Sequence, residues 1–249
     1  MKFAPLLLAL ALPALALSTP LTQDAPETVK EPGSRVEFPV RLTGAALAEG
    51  LAGSEGKPLE LPDMDLLGVG IRTKTWFDIR VYAMGLYWDS KVGPEKHAAF
   101  AGKDAATLGK EGKLQAALLE GKSALTLRLV MCRDVDGDDM AEAFEDSLQP
   151  RLERAMKKLE LRGKAEDLKT FRGYFSVDEV KEDVELLFTW TPDGKLHSRM
   201  KGKALGTIDS PALGHALFDV FLGADPISEK GKSTLVARVP ALLAADGDS

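Results

Sequence analysis

The segment Trp76–Trp88, WFDIRVYAMGLYW, constrains the fold more than any other part of the chain. It is aromatic and β-branched, the composition of a strand. Gly85 sits inside it. Just upstream, Leu66–Lys74 (LLGVGIRTK) is a second strand-like run and carries Gly68 and Gly70. Glycine inside such a run marks a bulge or a close backbone approach. Val36–Leu42 alternates and reads as an edge strand, where Pro39 is tolerated. Ala124–Val130 is a strand by alternation. Val184–Thr191 and Lys195–Lys203 flank the turn Pro192-Asp193-Gly194 and read as a hairpin. Ser233–Val239 reads as a last strand.

Helical patterns come in separate blocks. Pro94–Ala101, Ala105–Gly109 and Lys113–Glu120 are short. Asp139–Leu159 is the longest, with Met140, Ala143, Phe144, Leu148, Leu152, Ala155, Met156 and Leu159 at helical steps. Pro150 is expected to kink or split it. Ser210 is an N-cap, Pro211 takes the first helical position, and Gly223 closes Ala212–Leu222. Phe171–Val177 is a short apolar stretch. Strands and helices in blocks predict an α+β fold, an antiparallel sheet with helices on one side, over a doubly wound parallel sheet.

The N-terminus reads as an address. Lys2 is the only charge before an apolar run, Phe3–Leu17, broken by Pro5 and Pro13. A membrane span needs about 20 apolar residues. The pattern, with small residues at Ala14, Ala16 and Ser18, predicts a signal peptide over residues 1–18 and a periplasmic or secreted protein with no membrane span. Residues 19–60 follow as a linker and N-terminal edge segment, its first part, Thr19–Ser34, rich in Pro, Thr and acids. Residues 61–240 form one domain, and residues 241–249 a disordered acidic tail.

Composition excludes several chemistries. The formal charge is −6, which argues against a nucleic-acid partner. One cysteine, Cys132, forms neither an intrachain disulfide nor a CxxC pair, and reads as a buried thiol. His97, His197 and His215 lack metal-ligand spacing. Asp134, Asp136, Asp138 and Glu145 fall at EF-hand steps, but Asp139 stands where that loop needs glycine. An acidic N-cap and first turn is the simpler account. Gly68-Val69-Gly70 lacks the third glycine of a dinucleotide site. Two residues remain. Arg72 lies in an apolar strand, where a buried guanidinium needs an anionic partner; Arg80 reads as an exposed-face arginine or one paired with a structural Asp.

Gly68-Val69-Gly70-Ile71-Arg72, running into Val81-Tyr82-Ala83-Met84-Gly85-Leu86-Tyr87, resembles the chalcone isomerase family. So does Ala216–Gly223 (ALFDVFLG) followed by Pro226-Ile227-Ser228. The order and spacing agree over roughly Leu61 to Val239. The resemblance implies a bacterial chalcone isomerase-like protein with an open-faced β-sandwich, a large antiparallel sheet under a layer of helices, and a ligand cleft between them. The family includes plant enzymes that close a flavanone ring without a cofactor, plastid fatty-acid-binding proteins and non-catalytic relatives.

The family's arginine is present as Arg72. Tyr82 stands where the enzymes carry a threonine. Their tyrosine, lysine and asparagine on the following helix, counted from Gly137, correspond to Met140, Ala143 and Ser147. Val220 replaces a late Thr or Ser. An apolar cleft with one Arg and one Tyr suits a carboxylate with a hydrocarbon tail, because Arg grips a carboxylate through paired charge-assisted bonds. The resemblance thus implies fatty-acid binding, without cofactor or metal. Arg72 and Tyr82 meet the headgroup, and Met140, Ala143, Phe144, Ser147 and Val220 line the cleft. The alternatives are a cofactor-free isomerase acting through Arg72, and an interaction partner without a ligand.

Overall fold

Along Tyr82–Trp88 the side chains alternate between two buried environments, so both faces of this strand are covered. Tyr82, Met84, Leu86 and Trp88 point into one apolar cluster, and Ala83 and Tyr87 into another. The computed structural model describes residues 27–53, 57–74 and 79–245. The predicted signal peptide, Trp76 and the last four residues lie outside these.

In chain order the elements are β1 (Thr28–Lys30), β2 (Glu37–Pro39), β3 (Arg41–Leu42), α1 (Gly44–Ala48), β4 (Met64–Lys74) and β5 (Ile79–Asp89). Then follow α2 (Val92–His97), α3 (Ala105–Glu111), α4 (Lys113–Leu118), β6 (Leu125–Met131), β7 (Val135–Asp136) and α5 (Gly137–Lys158). Next are α6 (Ala165–Gly173), β8 (Glu179–Val180), β9 (Glu185–Trp190), β10 (Lys195–Met200) and β11 (Lys203–Asp209). The last are α7 (Pro211–Leu222), α8 (Glu229–Thr234) and α9 (Val239–Ala245). A seven-stranded sheet runs in the order β11-β10-β9-β6-β5-β4-β3, antiparallel throughout. The α+β class is as expected.

One face of the sheet packs against the helices. At its centre is α7, buried along its length, with Ser210 accepting from the Leu213 amide and Pro211 in the first turn. This is the capped apolar helix read from Ser210-Pro211. The other face is covered by the segment that reads as a linker. Here β1 and β2 form a hairpin, Phe38 and Leu47 are buried, and Arg128 lies over the Phe38 ring at 4.9 Å. A Cβ on Gly85 would stand 2.6 Å from the Phe38 ring, so the glycine inside β5 makes room for this cover. Burying Phe38 contributes about 2 kcal/mol.

Several expectations are corrected. Ser233–Val239 is not a strand; it falls across α8 and α9. Ala241–Ala245, expected in a disordered tail, belong to α9, whose Val239 and Leu243 are buried. Of the kink or split expected at Pro150, the split does not occur: α5 is one helix of 22 residues. Pro150 is exposed, and so is Asp146, whose carbonyl lacks the proline's N–H and can turn to water. β11 was not read from the sequence. It follows β10 through the tight turn Lys201-Gly202, where both residues have positive φ (53° and 72°), the geometry of a two-residue hairpin loop. Cys132 is half-buried rather than buried. Arg80 is exposed, as expected. Asp136 caps α5 by accepting from the Asp138 and Asp139 amides, which accounts for the acidic run.

Candidate functional site

Arg72 and Tyr82 are direct cross-strand partners in the β4–β5 register. Opposed residues in an antiparallel pair share a face. That face looks toward the helices, since the Tyr82 ring meets Phe221 of α7 edge-on at 6.5 Å. Tyr82 is 9% exposed and Arg72 is half-buried. Burial pushes the Tyr82 hydroxyl well above its usual range, and the nearby Arg72 charge offsets this only partly. The phenol therefore stays protonated at neutral pH and remains a hydrogen-bond donor.

The glycines before Arg72 have a packing role. Gly68 and Gly70 pair with Leu86 and Met84, on the same face as Arg72. A Cβ on Gly68 would overlap the Thr234 carbonyl and lie 2.7 Å from the Leu235 carbonyl carbon. One on Gly70 would lie 3.1 Å from Thr234 Oγ1. At Gly68 only bare backbone lets α8 settle on β4 at this distance, whereas at Gly70 the nearest neighbours are side-chain tips. Arg72 then reaches over the segment before α8, its Nη1 donating to the Ile227 carbonyl at 2.9 Å. The Ile227 amide donates to the Val220 carbonyl at 2.8 Å. Arg72 and Val220 are thus linked through one loop. Among the described residues no carboxylate stands within 4 Å of Arg72.

The other expected lining residues divide. Met140 (6% exposed) and Val220 (3%) lie in the same apolar cluster as Tyr82. Phe144 is half-buried and belongs to an aromatic group farther across the sheet. It stacks on Phe175 at 4.9 Å and meets Phe171 and Phe188 edge-on. Ser147 is half-buried, and its carbonyl accepts from Arg151 Nη1 at 2.8 Å. Ala143 is exposed, which corrects its assignment to the cleft. The buried stripe of α5 runs through Met140, Ala141, Leu148, Leu152 and Ala155, and this turns position 143 outward.

A polar cluster beside the site was missed. Asp219, 7% exposed, sits 3.2 Å from Arg151 Nε and also holds Arg154. Arg151 also donates to the Asp225 carbonyl, and Lys232 Nζ to the Gly223 carbonyl at 2.6 Å. The available signal was Asp219 itself, the only acid in an otherwise apolar helix. A buried acid of that kind needs cationic partners. A depression of about 360 Å³ opens next to this cluster, lined by Ala116, Leu119, Leu222, Gly223 and Lys232 among others.

A protein-family model described as "Chalcone isomerase like" matches residues 62–236. The chain is 27% identical over 216 residues to "Fatty-acid-binding protein 2" of Arabidopsis thaliana, an alignment covering 86% of this chain. It spans about half (51%) of that relative's length. The fold is similar to the crystal structure of an Arabidopsis thaliana fatty-acid binding protein. The TM-score is 0.65 at 21% sequence identity, covering 87% of this chain and 99% of that one.

Proposed function

Because the chain belongs to the chalcone isomerase-like family, we propose that it binds a fatty acid or similar apolar carboxylate between sheet and helices, without catalysis. Arg72 anchors the carboxylate and Tyr82 donates a second hydrogen bond. The observation that carries this reading is the opposition of Arg72 and Tyr82 at the margin of an apolar core. A charge-assisted pair to Arg72 is worth about 1.5–3 kcal/mol, and each buried CH₂ of a tail about 0.8 kcal/mol. The relative's name and the structural neighbour's title point to the same ligand class.

An isomerase reading needs donors aimed at a developing oxyanion, usually the largest catalytic contribution. Met140 and Val220 are hydrocarbon or thioether and supply none, so binding is the better account. The leader read in residues 1–18 supports delivery to the periplasm or the exterior. Fractionation of cells expressing the chain with and without residues 2–18 tests that delivery.

The binding test is titration of the purified protein with cis-parinaric acid, a fluorescent fatty acid, alongside Arg72→Ala. Saturable binding weakened at least tenfold in the variant is expected. Absence of binding by the wild-type protein, or equal binding by the variant, overturns the proposal. Native mass spectrometry of the protein as purified is the companion measurement.

A further inference from the structure

The segment between α7 and α9 is held in an unusual way. Three successive sites on one short loop, the carbonyls of Gly223, Asp225 and Ile227, each accept from a cationic side chain of a different element. Arg151 comes from α5 and Arg72 from β4, so two of these bonds tie the loop to the rest of the domain, while Lys232, from α8, closes the segment on itself. Ile227 packs partly buried against the core, but the rest of the loop offers little apolar burial: Ala224 and Asp225 are exposed and Pro226 and Ser228 half-buried. The six-residue α8 that follows rests on Gly68 through the Thr234 backbone and on Gly70 through Gly231 and the Thr234 hydroxyl, so it interlocks few side chains with the sheet.

Both ends of this segment are firmly rooted. Leu222 is 1% exposed and the Gly223 amide bonds the Asp219 carbonyl. Leu235 and Val236 are fully buried, and beyond them the Arg238 amide bonds the Leu67 carbonyl at 2.8 Å. Segments with few buried apolar contacts open locally at much lower free energy than the core around them. The depression of about 360 Å³ already borders the segment on its α4 side. In the apolar core, Tyr82, Met140, Val220 and Phe221 are packed at 9% exposure or less. A tail entering here must displace something, and the Ile227 carbonyl occupies one of the Arg72 donors.

We infer that Gly223–Thr234 is a strap that lifts from β4 to admit the acid, exchanging the Ile227 carbonyl for the ligand carboxylate on Arg72. This rests on the binding reading above, and it adds a gating step that the reading does not require.

A reversible staple tests it. Gly70→Cys with Thr234→Cys, in a Cys132→Ser background, places the new Cβ at 70 where Thr234 Oγ1 lies 3.1 Å away. That suits a disulfide: with Sγ in the place of Oγ1, an S–S bond of about 2.05 Å leaves each Cβ about 3 Å from the partner sulfur. Stopped-flow uptake of cis-parinaric acid is followed with the pair oxidised and then reduced by dithiothreitol. The oxidised form is expected to bind at least tenfold more slowly, and the reduced form to recover the rate of the Cys132→Ser parent. Equal rates in both forms overturn the strap while leaving acid binding intact. No binding by any form, the parent included, removes the binding reading and the strap with it. Arg151→Met, which deletes the tie from α5 to the Asp225 carbonyl without touching Arg72 and leaves Asp219 its Arg154 partner, provides a second measurement. A several-fold faster uptake is expected, and an unchanged rate counts against the strap.

Discussion

Arg72 stands directly across from Tyr82, and its guanidinium is partly satisfied by the backbone carbonyl of Ile227. Tyr82 is its closest analogue on the neighbouring strand: a buried body with a donor at the tip. Replacing Tyr82 with Phe keeps the packing against Phe221 and removes only that donor. Affinity for cis-parinaric acid is expected to fall several-fold, about 1 kcal/mol. The midpoint of urea unfolding should stay close to that of the wild type. Unaltered affinity would take Tyr82 out of the headgroup contact.

Gly68 and Gly173 make a matched pair for stability. Gly68→Ala drives a methyl into the Thr234–Leu235 backbone, which has little freedom to withdraw. A loss of about 2–3 kcal/mol is expected. At Gly173, on the last turn of α6, nothing lies within 4 Å of the added methyl. Gly173→Ala should remain within about 0.5 kcal/mol of the wild type or gain slightly. Urea titrations of both variants read the contrast.

Asp219 balances Arg151 and Arg154 while nearly excluded from water. Asp219→Ala leaves the largely buried Arg151 without its carboxylate. About 3 kcal/mol of stability should be lost. The strap is also expected to loosen, because Arg151 holds the Asp225 carbonyl. Hydrogen exchange at Gly223–Thr234 should speed up more than exchange in β5. Uniform acceleration over the whole domain would show that Asp219 supports only global stability.

Stability should fall on mild acidification. His97 is 2% exposed, lies flat against Trp88 with ring centroids 5.5 Å apart, and burial lowers its pKa from 6.5 to about 4. Between these values the unfolded chain takes up the proton more readily than the folded one. Stability therefore rises with pH across the window from about 4 to 6.5 and is lost as pH falls through it. Burial lowers His197 and His215 in the same direction. Unfolding free energies at pH 7 and pH 5 check the sign, and His97→Phe, which keeps the ring stack, should flatten the difference. A protein as stable at pH 5 as at pH 7 would contradict this account.

Much of the sheet was legible because alternation and turn chemistry are local. The β9–β10 hairpin follows from Pro192-Asp193-Gly194, and the Gly194 amide closes that turn on the Thr191 carbonyl at 2.9 Å. The N-cap of α7 was equally plain. Ser233–Val239 was misread because a short apolar run does not by itself specify a strand; it holds the end of α8, a turn and the start of α9, seated on the glycine face of β4. Ala143 was misplaced because a stripe read at three- and four-residue steps does not say which edge meets the sheet. The cover formed by β1, β2 and α1 was hidden because its partner, Gly85, lies far away in sequence.

By itself the sequence determined the α+β class, the strand that carries Tyr82 and the motif that carries Arg72, since each depends on residue types at short range. The tertiary structure alone decided what the glycines of that motif are for and what Arg72 touches. Those answers depend on α8 and Ile227, 155 residues beyond Arg72, and only the folded chain brings that segment onto β4.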